Sequence, residues 1–341
     1  MSAKRLHDHD EAVETDVPLR PVKQPRTLHE TTRYSIAWIC ALHIEMAAAR
    51  AMLDEVYDDQ PRHLNDSNAY ILGRIHRHSV VVACLPTAQY GITNAANVLT
   101  HLIRTFPSIR LGLMVGIGGG VPSRAADIRL GDVVVGTRVM PYDLGKVVEN
   151  GEIQYTGIQK VPHQLLGTVV SSLRSKHELY GSLVSSILDD KMASHAEYQH
   201  PNLPDRLFHA IYDHDAVTLD CADCDQSQLI SRRTRTNNNP VIHYGAIASG
   251  NKVMKHGLTR DDYARKLHDV ICFEMEAAGL MDVLPCLPIR GICDYSDSHK
   301  NKEWQRYAAA TAAAYARELL GMLPANEAEE ALPSETSHSG T

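Results

Sequence analysis

Ile271-Cys-Phe-Glu-Met-Glu-Ala-Ala-Gly279 places two acids, Glu274 and Glu276, in an otherwise apolar stretch. Carboxylates are almost never fully buried without a partner. A hydroxyl-rich ligand such as a ribose can be that partner, by donating hydrogen bonds to an ionised carboxylate. Two solvated acids at the start of an amphipathic helix would produce the same stretch, so its neighbours must decide. Downstream, Pro288-Ile-Arg-Gly-Ile-Cys-Asp-Tyr-Ser-Asp297 is a short apolar strand that delivers Asp294 at its end. Upstream, Leu113-Met-Val-Gly-Ile-Gly-Gly-Gly120 runs a strand into a glycine turn. Near the start, Ile36-Ala-Trp-Ile-Cys-Ala-Leu-His-Ile-Glu-Met46 is a strand that delivers Glu45. Strands ending in an acid or a glycine turn describe an open α/β site at the carboxyl ends of strands.

The rest of the chain alternates in the same way. Strands are predicted at Tyr34–Leu42, Ser79–Leu85, Leu111–Val115, Asp132–Thr137, Val241–Ala248, Val270–Glu274 and Leu287–Cys293. Helices are predicted at Ile44–Val56, Asn94–Phe106, Gln164–His177, Thr259–Leu267, Glu276–Leu284 and Glu303–Leu323. This alternation points to an α/β layer fold with a largely parallel sheet. The last helix is alanine-rich, which suits close packing on a sheet. Residues 1–33 are polar, charged and proline-bearing and read as a disordered arm, and residues 325–341 as a disordered tail. Residues 34–324 form one domain. Residues 178–240 break the rhythm and read as a loop-rich insertion within it.

Hydrophobic residues make up 44% of the 341 and aromatics only 6%, so small aliphatic side chains must fill the core. The net charge of -7 does not suggest a nucleic-acid partner, which usually calls for a basic surface. No run of about 18 apolar residues is present, so no membrane span is expected. An odd number of cysteines, seven, and no secretory start suggest a reducing, cytoplasmic setting. Cys221-Ala-Asp-Cys224 has C-x-x-C spacing, but no second pair follows at zinc-module distance, and His209, His214 and His243 are near only in sequence. No metal and no cofactor are expected.

The blocks Trp38-Ile-Cys-Ala-Leu-His-Ile-Glu-Met-Ala-Ala, Val115-Gly-Ile-Gly-Gly-Gly-Val-Pro, Ile128-Arg-Leu-Gly-Asp-Val-Val-Val, Ile247-Ala-Ser-Gly-Asn, Cys272-Phe-Glu-Met-Glu-Ala-Ala-Gly and Arg290-Gly-Ile-Cys-Asp-Tyr-Ser-Asp-Ser-His stand in this order. Together they resemble the purine nucleoside phosphorylase and methylthioadenosine/S-adenosylhomocysteine nucleosidase superfamily, in its fungal branch. The resemblance covers roughly residues 34–323. It implies a single-domain three-layer nucleoside phosphorylase-like fold, with a central mixed sheet flanked by helices. It also implies a small-molecule purine nucleoside or nucleotide as ligand, and a homo-oligomer, dimer or trimer.

Cleaving an N-glycosidic bond passes through an oxocarbenium-like centre, so the leaving base, the nucleophile and the ribose all need help. By resemblance, Asp294 is the acid that addresses the purine N7, and Glu45 activates the attacking water. Glu276 accepts from the ribose hydroxyls, with Met275 packed on sugar or base and Glu274 holding the hydrogen-bond network. Gly118 and Gly119 let backbone approach the ligand closely, and Ser249 and Asn251 belong to the base-side loop. Gly116-Ile-Gly-Gly-Gly120 fails the dinucleotide spacing, because the position that needs the third glycine is Val121, and it lacks the Gly-Lys-Ser/Thr of a phosphate loop.

The family splits by nucleophile. Phosphorylases typically carry an Arg after a Gly-Asp-Pro near the first strand, and another before the glycine turn. Neither is present in Ala41-Leu-His-Ile-Glu-Met46 or Leu113-Met-Val-Gly-Ile117, and a carboxylate at 45 would repel phosphate while suiting water. Hydrolysis is therefore expected over phosphorolysis, with Arg50 and Arg110 as the arginines nearest these blocks in sequence. A third possibility is a non-catalytic sensing module. If the substrate is a nucleotide, Arg232, Arg233 and Arg235 in the insertion are candidates to hold its phosphates.

Overall fold

Val80-Val-Val-Ala83 and Val133-Val-Val135 are continuous apolar runs, and continuous runs belong to strands covered on both faces. In the computed structural model, which describes residues 28–57, 63–215 and 221–324, both runs lie wholly buried on interior strands of the sheet. The elements follow in chain order. They are β1 (Ile36–Cys40), α1 (His43–Ala51), β2 (Glu55–Tyr57), β3 (Tyr70–Ile75), β4 (His78–Cys84), α2 (Ile92–Thr105) and β5 (Leu111–Gly120). Then come β6 (Val133–Pro141), the hairpin of β7 (Gly145–Val147) and β8 (Ile153–Tyr155), α3 (Gln164–Tyr180) and α4 (Val184–Lys191). The chain closes through β9 (Ile242–Ser249), α5 (Gly257–Lys266), β10 (Cys272–Glu274), α6 (Ala277–Val283), β11 (Leu287–Asp294) and α7 (Gln305–Met322).

The nine-stranded sheet runs β10-β9-β6-β11-β5-β1-β4-β3-β2. Its centre is parallel across β11–β5, β5–β1 and β1–β4, while β6–β11, β3–β4 and β2–β3 are antiparallel, so the sheet is mixed. Strand β10 also pairs antiparallel with the end of β5, through Cys272 opposite Gly120 and Phe273 opposite Gly119, which curls this end of the sheet toward closure. Helices α1 and α7, with α3 and α4, cover one face, and α2 with α6 covers the other. These are the three expected layers. The alanines of α7 allow contact so close that a Cβ on Gly291 would overlap the Ala308 carbonyl oxygen.

The structure departs from the sequence reading in several places. The glycine run is not a turn but the last half of β5. The reason is crowding on both sides: a Cβ on Gly116 would overlap the Glu45 carboxylate, and one on Gly118 would press on Cys272 and Arg290. Helix α1 stops at Ala51 rather than Val56, because Glu55–Tyr57 pairs with β3 instead. The insertion holds α4, packed on α7, before it becomes irregular. Residues 28–33 of the expected arm form a 3-10 helix. Residues 1–27 and 325–341 lie outside the described residues. No helix among the described residues is long and apolar enough to cross a membrane.

Candidate active site

The carboxyl ends of β1, β5, β10 and β11 meet around a cavity of about 200 Å³. Its walls include Glu45, Ile117, Gly118, Gly119, Phe273, Glu274, Met275, Glu276, Ser296 and Lys300, together with Met254 and the exposed Tyr90 and Val253.

Glu45 sits in the first turn of α1 and is 2% exposed. One oxygen accepts from the Ala41 and Leu42 amides at 2.6 and 2.9 Å, and the other from the Ile117 amide at 2.8 Å. These bonds fix the carboxylate against the glycine segment of β5. Burial pushes its pKa above the ordinary value, against the pull of the Arg290 charge and the amide donors.

Glu274 ends β10 and caps α6 by accepting from the Glu276 and Ala277 amides at 3.1 and 2.9 Å. Arg290, in the middle of β11, reaches over to donate to Glu274 and lies 3.5 Å from Glu276. Arg290 is 0% exposed. A fully buried guanidinium needs paired carboxylates, and the two acids of this short segment supply them. Burial and the neighbouring Glu274 raise the Glu276 pKa to about 7, with Arg290 opposing the shift. Sequence reasoning missed this role for Arg290. The available signal was a lone arginine inside an apolar strand.

Asp294 ends β11 after an irregularity in register: Ile292 faces Gly118 and Asp294 faces Gly119, so Cys293 is the extra residue. Such a bulge re-aims the side chains that follow it. The Asp294 carboxylate accepts from the Ser296 amide at 2.9 Å and from Lys300 Nζ at 2.6 Å. Ser296 itself adopts a left-handed φ of 55°, uncommon for serine. Asp294 lies just behind the cavity wall, and Lys300 is the lining member of the pair. Lys300 also escaped the sequence reading.

Met275, Gly118 and Gly119 line the cavity. Ser249 and Asn251 do not. The Ser249 hydroxyl accepts from the Ala278 amide at 2.9 Å, and Asn251 accepts from the Ile92 amide at 3.0 Å while donating to Asp143, so both hold neighbouring backbone in place. The arginines of the insertion lie elsewhere as well. Arg235 grips Asp132 with two bonds of 2.6 and 2.7 Å, and Arg232 donates to Asp205 and to the Tyr295 hydroxyl. With the exposed Arg233 they line a separate cleft of about 670 Å³ that shares no residue with the cavity. They therefore lie outside the cavity to which the sequence reading assigned a phosphate clamp. Arg50 and Arg110 do not line the cavity either, and its cations are Lys252 and Lys300.

The phosphorylase superfamily pattern matches residues 35–321. The chain is 42% identical over 310 residues to a nucleotide-binding leucine-rich repeat (NLR)-like protein of Hyaloscypha variabilis, a match covering 88% of this chain and 30% of that protein. It is 25% identical over 287 residues to the ATP nucleosidase Cap17 of Escherichia coli, covering 82% of this chain and 49% of that one. The chain therefore spans half or less of these relatives' length. Among solved structures, the 5'-methylthioadenosine/S-adenosylhomocysteine nucleosidase of Helicobacter pylori superposes with a TM-score of 0.57 at 15% identity, covering 85% of this chain and 99% of that one. The chain belongs to the phosphorylase superfamily.

Proposed function

From that membership, we propose that this protein hydrolyses the N-glycosidic bond of a purine nucleoside or nucleotide and releases the free base. The observation that carries the choice of water over phosphate is the charge of the cavity. Glu45, Glu274 and Glu276 converge there, no arginine among the described residues lines the cavity, and the buried guanidinium beside it, Arg290, is already paired with two of those acids. Inorganic phosphate placed beside Glu45 would meet a carboxylate instead of a cation, whereas a water there meets a hydrogen-bond acceptor.

In this reading Glu45 takes the proton of the attacking water. Glu276 accepts from the 2′- and 3′-hydroxyls and favours the distorted sugar, while Arg290 keeps it oriented. Asp294 passes a proton to the departing base, with Lys300 holding the carboxyl from the cavity side. Met275 and Phe273 pack against sugar and base. The Escherichia coli relative Cap17 is named an ATP nucleosidase, and Lys252 lines the cavity with no carboxylate partner among the described residues, which supports a nucleotide substrate.

A sensing role is the second reading, favoured by the 42% identity to an NLR-like protein. One experiment separates these readings. Pure protein is incubated with adenosine, inosine, AMP and ATP, with and without phosphate. Free base with ribose or a ribose phosphate, independent of added phosphate, supports hydrolysis. A sugar 1-phosphate that requires added phosphate supports phosphorolysis, and intact substrate with measurable binding supports sensing. We also read the chain as a homo-oligomer. The hairpin region exposes Val147 at 77% and Ile158 at 81%, apolar surface of the kind a second copy covers. Light scattering tests this, and a fully active monomer would contradict it.

A further inference from the structure

Cys221-Ala-Asp-Cys224 has no role in the site above, yet the fold brings a third ligand type to it. His214 comes from the preceding segment, and one ligand atom from each of His214, Cys221 and Cys224 lies within 4.8 Å of the others. Both cysteines are buried and neither is in a disulfide. The turn that carries them is shaped from within: Gln226 Nε2 donates to the Cys224 carbonyl at 2.7 Å, and the Tyr212 hydroxyl accepts from the Asp225 amide at 2.9 Å.

A second observation comes from the other side of this cluster. His299 is 92% buried, at 8% exposure, and neither ring nitrogen has a hydrogen-bond partner among the described residues. Its ring stacks on Phe208 at 4.1 Å and lies 5.4 Å from the His214 ring, and its carbonyl accepts from the Cys221 thiol at 3.6 Å. A buried imidazole with both nitrogens unmatched is a costly arrangement, and a bound ion is one of the few partners that would relieve it. Asp297 Oδ1 stands 3.7 Å from His299 Nδ1, too long for a hydrogen bond but in the position of a carboxylate that orients a metal-bound histidine through its far nitrogen.

We propose that His214, Cys221 and Cys224 form a structural zinc site, with His299 completing the tetrahedron. Two thiolates and two imidazoles are a preferred set for Zn²⁺. In a tetrahedron with Zn–S bonds of about 2.3 Å, ligand atoms sit roughly 3.5–4 Å apart. The ligand atoms of His214, Cys221 and Cys224 need a contraction of only about 1 Å to reach this. Each thiol releases its proton to solvent on binding. The site would pin the insertion to the segment that follows Asp294. The two already touch there, since the His214 amide donates to Ser298 Oγ at 2.9 Å and Ser298 Oγ donates to Asp213 at 3.1 Å. Lys300, the partner of Asp294, is the next residue after His299. This differs from the expectation of no metal, which rested on spacing alone.

The test is the metal content of the full chain, expressed with zinc supplementation and purified under reducing conditions. The expected result is about one zinc per chain in the wild type, falling to background in Cys221→Ser and Cys224→Ser. Replacement of the zinc by Co²⁺ should give the thiolate charge-transfer and intense d–d bands of a tetrahedral sulfur-containing site. In His299→Gln those bands should shift. Zinc at background in the wild type, or full zinc in the double variant Cys221→Ser/Cys224→Ser, overturns the site. An unshifted cobalt spectrum in His299→Gln overturns the fourth ligand. If the cysteine variants do not fold, the wild-type zinc content and cobalt spectrum decide the matter by themselves. None of these readouts depends on turnover, so they stand apart from the nucleosidase reading.

Discussion

Lys300 Nζ donates to Asp294 Oδ2 at 2.6 Å, and of the two only Lys300 lines the cavity. If the pair passes the proton to the leaving base, both members are needed. Asp294→Asn is expected to lower turnover by about 10²-fold or more. Lys300→Met is expected to lower kcat, alter the pH–rate profile and leave KM within a few fold. A Lys300→Met variant whose pH–rate profile overlays that of the wild type would show that the lysine is merely packing.

Arg290, itself 0% exposed, holds the buried Glu274 and Glu276. Arg290→Met leaves two buried carboxylates without their cation. Removing one partner of a buried pair costs about 3–5 kcal/mol. The variant should melt at clearly lower temperature and lose ribose recognition, and Arg290→Lys should recover part of the stability. Wild-type melting in Arg290→Met would mean that the acids are paired by other groups.

Glu276 carries a pKa raised to about 7 from an ordinary value of 4.5, mainly by burial and then by the charge of Glu274. Between these values the folded protein keeps a proton that the unfolded chain has released. The stability contributed by this group is therefore full below about pH 4.5 and is lost as pH rises through about 7. Glu45 shifts in the same direction. Glu276→Gln should gain stability relative to the wild type on going from pH 5 to pH 8, on the order of 3 kcal/mol at most. It should also bind ribose poorly. Denaturant midpoints at the two pH values check this, and a stability difference independent of pH would contradict it.

Gly116 lies so close to the Glu45 carboxylate that a Cβ there would overlap it. Gly116→Ala should displace Glu45 from the Ile117 amide and reduce turnover by about 10-fold or more, since misplacing a catalytic group by an ångström can cost 10²-fold. Steady-state kinetics with a purine substrate reads this directly. Turnover equal to wild type would place the reacting water away from Glu45.

Arg235 and Arg232 are held by Asp132 and Asp205, outside the cavity. Asp132 is 1% exposed and also accepts from His243 at 2.9 Å. Arg235→Ala should therefore cost stability, about 2–3 kcal/mol, while leaving KM for AMP and ATP close to that for the wild type. A steep rise in KM for nucleotides alone would return these arginines to the substrate.

The alternation of strands and helices is legible in the sequence alone, and so is the placing of Asp294 at a strand end and of Glu45 and Glu276 just beyond strand ends. The reason is that these features are local: apolar runs, helix starts and strand exits are written in neighbouring residues. The nature of the glycine run was misread because its glycines answer crowding from Glu45, Cys272 and Arg290, which come from other strands and a helix. Ser249 and Asn251 sit in the expected loop, but only the packed structure decides that their side chains hold Ala278 and Ile92 rather than the cavity. The pairings of Arg290 with Glu274, Lys300 with Asp294, and His299 with the Cys221–Cys224 turn depend on strand register, on the bulge at Cys293 and on the path of the insertion. A one-residue change in register turns a strand's side chains to the opposite face. Spacing along the chain is therefore blind to such pairings, and only the tertiary structure decides them.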